Sequence, residues 1–309
     1  MKKYLLFSLV LLLITFIALP VMAGNFPVTI VDDLGRELSL DKAPERIISL
    51  SPSNTEVLFF LGLGDKIIGV TTYANYPEEA LNKEKIGTIT EPNIEKIITM
   101  KPDLVIASGV NNLDLVERLI DLGINVAGFN PSTVNDTLLT LKKIGKLTGS
   151  YDKAREIVTD MYIKMAALQE LVDKHLKTHE RPGVFYEIWS EPLITAGKGT
   201  FINDIINLAG GINIGAQARG FWPQYSVEKL VVENPDVYIS SPHSAPHQVT
   251  EKRIENRERY QTINAIKNNR VHIVNQDIIN RPSPRIIQGF EVFVKAIFPE
   301  LSDEVEGLN

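Results

Sequence analysis

Residues 151–177 contain neither proline nor glycine, and this uninterrupted run is the strongest constraint on the fold. Its apolar side chains recur at steps of three or four, at Ala154, Ile157, Met161, Met165, Leu168, Val172 and Leu176. Steps of that size place the side chains along one face of an α-helix. At 1.5 Å of rise per residue, the run predicts one continuous helix of about 40 Å. A helix of that length divides the chain into an amino-terminal and a carboxyl-terminal half.

Short apolar segments alternate with helical patterns on both sides of the long helix. Strands are predicted at 47–50, 67–70, 104–107, 124–129 and 184–188, and helices at 54–61 and 116–122. Strands that alternate with helices are typical of an α/β layer with parallel strands. We therefore predict an α/β fold of two lobes with parallel central sheets, joined by the single long helix. The expected divisions are a leader at 1–23, a first lobe at 24–150, the linking helix at 151–180 and a second lobe at 181–309.

One motif occurs in both halves of the chain. Glu95 lies in a predicted helix, seven residues before a Pro-Asp pair that opens a strand, and Glu228 has the same surroundings in the second half. A weaker similarity relates residues 57–64 to residues 205–211, where a helix ends in a turn containing glycine. Because the two similarities occur in the same order, they indicate that the lobes derive from one duplicated unit.

The first 23 residues have the three parts of a secretory signal peptide. Lys2 and Lys3 form a positive start, residues 4–19 carry no charge, and Ala23 follows Pro20 at a small-residue cleavage site. We expect this leader to be removed on export to the periplasm. An uncleaved membrane anchor is the alternative, because the apolar segment is nearly long enough to span a bilayer.

Composition and motifs exclude several classes of function. The sequence has no cysteine, which excludes disulfides, thiolate metal sites and the residue that carries the lipid of bacterial lipoproteins. The formal net charge is −6, and no basic run indicates a nucleic-acid partner. Phosphate-loop, dinucleotide-binding, serine-hydrolase and zinc-protease motifs are absent. His243 and His247 are four residues apart, but nearby prolines favour a loop over a metal-binding helix.

Several segments together resemble the vitamin B12-binding proteins of ABC importers. They are RIISLSPSNTE at 46–56, GVTTYANYP at 69–77, NIE at 93–95, KPD at 101–103, WPQ at 222–224 and the pattern Arg281-x-Ser283-Pro284-Arg285. The resemblance extends from about residue 44 to residue 298. It implies the fold of the binding proteins for cobalamin, haem and iron–siderophores, in which one rigid helix bridges two α/β lobes.

The resemblance also implies ligand contacts. Tyr73 corresponds to a ligand-contacting tyrosine, and Trp222 corresponds to a tryptophan of the cleft. A ligand loop corresponds to Asp277, Ile278, Ile279, Asn280 and Arg281. At Ile89, Ser108, Ile278 and Ile279, however, cobalamin binders carry aromatic side chains. The ligand therefore stays open among cobalamin, other corrinoids, haem and siderophores.

The residue types themselves suggest further assignments. Trp189 joins Trp222 as a candidate ligand contact, because aromatic rings offer a macrocycle broad apolar contact; core packing is the alternative for both. Glu56 has a structural interpretation, since Ser53 and Glu56 have the spacing of a capping box. Arg285 is expected either at the ligand or in a local role, as a helix cap or in an ion pair.

Glu95 and Glu228 are predicted to dock the protein onto a membrane permease. Asn93 and Ser226 are the expected N-caps of their helices and place each glutamate at the second helical position. The helix dipole alone would favour a carboxylate there. Matching positions on two related lobes, however, would also fit the twofold symmetry of a dimeric permease.

The resemblance, together with the predicted leader and the two-lobed layout, implies a periplasmic substrate-binding protein of an ABC importer. We expect it to capture a corrinoid or an iron complex between its lobes and to deliver that ligand to a permease dimer. We further expect a monomer that catalyses no reaction, holds no resident cofactor and binds no nucleic acid. The alternatives are an exported cleft enzyme that acts on a small molecule and a free metal-ion binder, which would need converging histidines and carboxylates.

Overall fold

The computed structural model describes residues 26–242 and 250–308. The predicted leader at 1–23 and the pair His243 and His247 lie outside the described residues. Within the described ranges, each helix is too short or too polar to cross a bilayer. The same ranges contain no group of three or more His, Asp or Glu side chains able to hold a metal ion.

A parallel four-stranded sheet forms the centre of the first lobe. It follows a hairpin of β1 (Val28–Val31) and β2 (Glu37–Leu40), which the apolar pattern did not predict. The sheet consists of β3 (Ile47–Ser49), β4 (Ile67–Val70), β5 (Leu104–Ser108) and β6 (Val126–Phe129), in the spatial order β4-β3-β5-β6. The helices of this lobe are α1 (Pro52–Phe60), α2 (Ile94–Thr99), α3 (Leu113–Asp121) and α4 (Val134–Thr148). The four strands predicted in this lobe are confirmed. They could be recognised because strands buried on both faces appear in the sequence as continuous apolar segments.

The long helix is continuous and is labelled α5 (Tyr151–His175). Its buried side chains are Ala154, Val158, Met161, Leu168 and Val172. Four of these residues belong to the predicted apolar face, and the fifth, Val158, was not predicted. The other predicted positions, Ile157, Met165 and Leu176, are half-buried against the core. Without proline or glycine, nothing interrupts the backbone hydrogen bonds of the helix. The prediction of one helix between the lobes is therefore confirmed.

The second lobe contains a mixed sheet. Its strands are β7 (Gly183–Ser190), β8 (Leu193–Thr195), β9 (Ile212–Asn213), β10 (Val237–Ser240) and β11 (Val271–Ile273). Strands β9, β7, β10 and β11 are parallel in that spatial order, whereas β8 pairs with β7 in the antiparallel sense. The helices are α6 (Phe201–Leu208), α7 (Val227–Glu233), α8 (Glu251–Glu255), α9 (Asn264–Lys267), α10 (Gln276–Ile279), α11 (Ile286–Ile297) and α12 (Ser302–Glu306).

The parallel strands of the two lobes have the same arrangement. Taken in chain order, the four parallel strands of each lobe lie in the spatial order 2-1-3-4. The repeated Pro-Asp pairs also have one structural role: the backbone N–H of Asp103 donates to the carbonyl of Arg46, and that of Asp236 donates to Gly183, both at 2.8 Å. Their carboxylates accept from the backbone N–H of Arg46 at 3.0 Å and of Gly183 at 2.9 Å. Each aspartate thus ties its own strand to the start of the first strand, which supports the duplicated unit.

One apolar core continues through both lobes. Leu138 of α4, Met161 of α5 and Phe290 of α11 are buried in the same cluster. A polar contact lies between α4 and α6, where the backbone N–H of Val134 donates to the carboxylate of Asp204 at 2.8 Å. The long helix therefore joins two lobes that already share a packed interior.

Candidate functional site

The loops that follow β4 and β11 meet between the lobes. Ligands of parallel-sheet proteins bind at the carboxyl ends of strands, where such loops lie. The Nδ2 atom of Asn75, after β4, donates to Oδ2 of Asp277, after β11, at 2.8 Å. We call the polar side chains of this region the interlobe cluster; they are Glu56, Asn75, Asp277, Arg281, Ser283 and Arg285.

Glu56 of α1 lies at the centre of the interlobe cluster. Its side chain is 1% exposed, and its carboxylate accepts from three side chains of the second lobe. Ser283 Oγ and Arg285 Nε donate to Oε2 at 2.6 and 2.9 Å, and Arg281 Nη1 donates to Oε1 at 3.0 Å. A buried carboxylate is unfavourable unless it is paired and hydrogen-bonded, and these donors supply both conditions.

The predicted capping box at Ser53 and Glu56 is wrong. The N-cap of α1 is Ser51, whose Oγ accepts from the backbone N–H of Asn54. The Glu56 carboxylate is directed away from the helix start and toward the second lobe. Its role is therefore to join the lobes rather than to begin a helix.

Arg281 connects the two lobes at the level of the β4 loop. Its Nη1 donates to Oδ1 of Asn75 at 2.7 Å in addition to Glu56, and its Nη2 donates to the carbonyl of Tyr73 at 3.3 Å. The same Nη2 lies 2.7 Å from Oδ1 of Asp277. The two Nη atoms therefore have four acceptors, and the side chain is only 12% exposed. Arg281 is a bridging residue whose charge is already balanced within the protein.

Arg285 is directed to the first lobe as well. Besides its bonds to Glu56, its guanidinium lies over the ring of Tyr76, 3.8 Å from the ring centroid. That arrangement is a cation–π contact, which strengthens when the cation is removed from water. Glu56 and Tyr76 both belong to the opposite lobe, so Arg285 is not confined to a local pair. Within its own lobe, its Nη2 also donates to the carbonyl of Asp277 at 3.3 Å.

The predicted aromatic contacts are accessible. Tyr73, Trp189 and Trp222 are 60%, 39% and 44% exposed. Phe221, which adjoins Trp222, is also exposed, although no motif in the sequence marked it as a candidate ligand contact. Trp222 packs edge-on against Phe201, with ring centroids 6.5 Å apart. The structure thus brings the backbone of Tyr73 to the interlobe cluster, whereas Trp222 is supported from within the second lobe.

The predicted ligand loop divides into three kinds of environment. Asp277 and Arg281 belong to the interlobe cluster. Asn280 Oδ1 accepts from the hydroxyl of Tyr186 at 2.6 Å. Ile278 is half-buried against the core, and Ile279 is fully buried within it.

The expectation that Ile279 contacts a ligand therefore needs correction. A side chain added at Gly289 would place its Cβ 3.2 Å from Cδ1 of Ile279. The glycine on α11 thus lets Ile279 of α10 pack inward. Neighbouring positions of so short a helix face different surroundings, and four residues are too few for a periodic pattern to indicate which one faces the core.

A second buried carboxylate, Glu187, lies on β7. Arg257 Nη2 and Ser240 Oγ donate to its Oε1 at 3.2 and 3.1 Å, and the Tyr238 hydroxyl donates to Oε2. Burial, followed by the negative charge of Glu187, raises the pKa of Tyr238 well above its ordinary value. All of these partners belong to the second lobe. The available sequence signal was a single charged residue within the apolar strand 184–188.

Glu95 and Glu228 occupy matching positions on α2 and α7. Both are exposed, and each helix precedes the third parallel strand of its lobe. The predicted N-caps are confirmed, because Asn93 and Ser226 accept from the backbone N–H three residues on, at 2.9 and 3.1 Å. Glu228 differs in that it forms an ion pair with Arg259. Hydrogen bonds from its own backbone N–H and from Arg259 lower the pKa of Glu228.

Known proteins match the chain over both lobes. Residues 47–277 match a family described as periplasmic binding protein. The chain is similar to an uncharacterized ABC transporter substrate-binding lipoprotein, YvrC, of Bacillus subtilis, with 36% identity over 90% of this chain and 88% of the relative. It is similar to a vitamin B12-binding protein of Vibrio cholerae, with 30% identity over 80% of this chain and 87% of the relative.

A solved structure supports the fold independently. The crystal structure of a possible iron-binding, periplasmic solute-binding protein of Staphylococcus epidermidis aligns with a TM-score of 0.72 and 33% identity. The alignment covers 83% of this chain and 100% of that one. The two-lobed α/β architecture with one connecting helix is therefore shared with solved periplasmic binding proteins.

Proposed function

Because the chain belongs to the periplasmic binding protein family, we propose that it is the extracytoplasmic substrate-binding component of an ABC importer that takes up a corrinoid or an iron complex. The ligand binds between the two lobes, and the loaded protein delivers it to a membrane permease. The observation that carries this proposal is the 36% identity to an ABC transporter substrate-binding protein over 90% of the chain. Family members serve transport by binding, so no chemical step is part of the proposal.

Within this function we propose a corrinoid as the first ligand to test. The exposed rings of Tyr73, Trp189 and Trp222 suit a large ligand with broad apolar faces. The arginines of the interlobe cluster are paired with carboxylates, so this region favours a ligand of low net charge over a polyanion. The 30% identity to a vitamin B12-binding protein supports the same choice.

We propose that the permease recognises the exposed carboxylates of Glu95 and Glu228. Their helices hold equivalent places in two sheets of identical parallel-strand order, and equivalent places on duplicated lobes suit a twofold-symmetric partner. Exposed charges at the rim of an interface govern the association rate and its salt dependence. The partner surface would therefore be basic.

The proposed location is the extracytoplasmic side of the membrane. The leader predicted at 1–23 would direct export. The relative from Bacillus subtilis is named a lipoprotein, whereas this sequence has no cysteine to carry a lipid. We therefore propose that the exported protein is released from its leader rather than anchored by an acyl chain.

The function is tested by measuring unfolding of the purified protein with candidate ligands. Cyanocobalamin, haemin and a ferric catecholate siderophore are each added over a concentration series. A ligand at one hundred times its Kd stabilises the folded state by about 2.7 kcal/mol, which raises the midpoint of thermal unfolding. We expect cyanocobalamin to raise it and to be recovered chemically unchanged. No shift with any of the three, or conversion of the ligand, would contradict the proposal.

A further inference from the structure

We propose that residues 277–285 act as a clasp that fixes the distance between the two lobes, with Glu56 as its positioning residue. The clasp belongs to the second lobe by sequence, since it follows β11 and leads into α11. Its polar side chains, however, bind the first lobe. The clasp would fix this distance for whichever solute the protein binds.

The clasp is anchored to the second lobe by two residues. Ile279 is fully buried and packs closely against Gly289 of α11. Asn280 accepts from Tyr186 at 2.6 Å and donates through Nδ2 to Oγ of Ser241 at 3.0 Å. Tyr186 is itself buried on β7, and Ser241 follows β10, so these bonds attach the clasp to two central strands. The clasp therefore cannot move away from its own lobe without disturbing that lobe's sheet.

The same short segment is anchored to the first lobe by charge. Arg281, Ser283 and Arg285 all donate to the carboxylate of Glu56, and Asp277 accepts from Asn75. Separating the lobes would break the hydrogen bonds of the Glu56 carboxylate to all three donors. Hydrogen bonds in which a partner is ionised are about twice as strong as neutral ones, and they are stronger where water is excluded. The cluster thus resists opening more strongly than exposed ion pairs would.

The clasp also reaches the predicted ligand contacts. Arg281 donates to the carbonyl of Tyr73, so the backbone of an exposed aromatic residue is held by a side chain that Glu56 orients. A fixed lobe distance fixes the separation between Tyr73 and the aromatic residues of the second lobe. The clasp would therefore set the width of ligand that the protein accepts. Glu56 would contribute to this without contacting the ligand, because it is buried.

The experiment measures the distance between the lobes without any ligand. The sequence has no cysteine, so Glu117→Cys on α3 and Lys267→Cys on α9 provide two exposed and unique sites for spin labels. Pulsed electron resonance then gives the distribution of distances between the labels. It is recorded for the labelled parent and for Glu56→Gln, Asn75→Ala and Glu187→Gln. Asn75 is exposed, so its replacement weakens the clasp without leaving a buried charge unpaired.

We expect Glu56→Gln to shift or broaden the distance distribution, and Asn75→Ala to do so to a smaller extent. Glu187→Gln is the matched control, because it alters a buried carboxylate whose partners all lie in the second lobe. It should lower stability yet keep the parent distribution, a difference that general destabilisation would not produce. Parent-like distributions for Glu56→Gln and Asn75→Ala, or equal broadening in Glu187→Gln, would overturn the proposal. If Glu56→Gln does not fold, Asn75→Ala alone decides.

Discussion

Within the described residues, each lobe buries one glutamate, but the two lobes neutralise it differently. Glu187 is neutralised by Arg257 of its own lobe. Glu56 is neutralised by Arg281 and Arg285, which belong to the other lobe. Glu187 on β7 therefore holds the segment around Arg257 to the sheet of the second lobe, whereas Glu56 on α1 holds one lobe to the other.

The stability of one lobe and the coupling between the two lobes therefore depend on different carboxylates. A carboxylate whose partners lie within one lobe contributes to the folding of that lobe. A carboxylate whose partners lie across the interface contributes to the relation between the lobes as well. The variants below test that separation, in order of decreasing expected effect.

The largest effect is expected from Glu187→Ala. The change removes the acceptor of Arg257 and Tyr238, and loss of one partner of a buried pair costs about 3–5 kcal/mol. Urea unfolding gives the free energy of unfolding directly. Glu191→Ala is the control, because this nearby glutamate is exposed and its replacement should change stability by less than about 0.5 kcal/mol. Equal stabilities of the two variants would show that the buried pair contributes nothing.

A smaller effect is expected from Tyr73→Ala and Trp222→Ala, one aromatic residue from each lobe. If both contact the ligand, each change weakens cyanocobalamin binding by about 1–3 kcal/mol and leaves the free energy of unfolding nearly unchanged. Titration calorimetry measures the loss. Tyr151→Ala provides the control, since Tyr151 is exposed at the start of the long helix. A loss confined to one variant would show that one lobe alone recognises the ligand.

The two carboxylates proposed to dock the permease, those of Glu95 and Glu228, are expected to contribute unequally to the association rate. Glu228 is partly neutralised by Arg259, whereas Glu95 forms no ion pair within the described residues. Glu95→Ala should therefore slow association with the permease more than Glu228→Ala, by a modest factor, because both carboxylates are exposed to water. Arg259→Ala should accelerate association. Surface plasmon resonance at several salt concentrations checks both, because exposed charges are screened over about 8–10 Å at physiological ionic strength. Equal association rates for the two glutamate variants would contradict the expected difference between Glu95 and Glu228.

The smallest change is expected when ligand is added to the parent protein. A continuous helix and a shared core leave little freedom for hinge motion, so X-ray scattering profiles of free and loaded protein should nearly superimpose. The same comparison of free and loaded protein is made for Glu56→Gln, because this variant lacks the charge that holds the clasp to the first lobe. A large compaction of the parent on loading would contradict a fixed lobe distance.

Local patterns in the sequence were sufficient for much of the fold. The strand at Ile67–Val70 and the start of the long helix at Tyr151 were predicted at the observed residues. A short apolar run predicts a buried strand, and a long amphipathic run without proline predicts a helix, whatever the rest of the chain contains. The hairpin at residues 28–40 was missed because its strands are exposed on one face and short.

The interlobe cluster could not be predicted in the same way. Ser53 and Glu56 match a capping pattern, but the partner that decides the position of Glu56 is Arg285, 229 residues further along the chain. Periodicity detects neighbours in an element and not contacts between lobes. The resemblance marked the segment around Arg281 as important, yet only the structure shows that Arg281 bonds mostly to protein groups. Whether it also contacts a ligand stays a prediction.

The apolar core that runs beneath both sheets has a consequence for how the protein unfolds. Neither lobe could separate from the other without exposing Leu138, Met161 and Phe290 to water. Burial of that surface is the main favourable contribution to folding, so its loss on one side destabilises the other. Calorimetry should therefore record a single heat-absorption peak for the two lobes, with equal calorimetric and van't Hoff enthalpies. The two similar lobes would then unfold together in one cooperative transition.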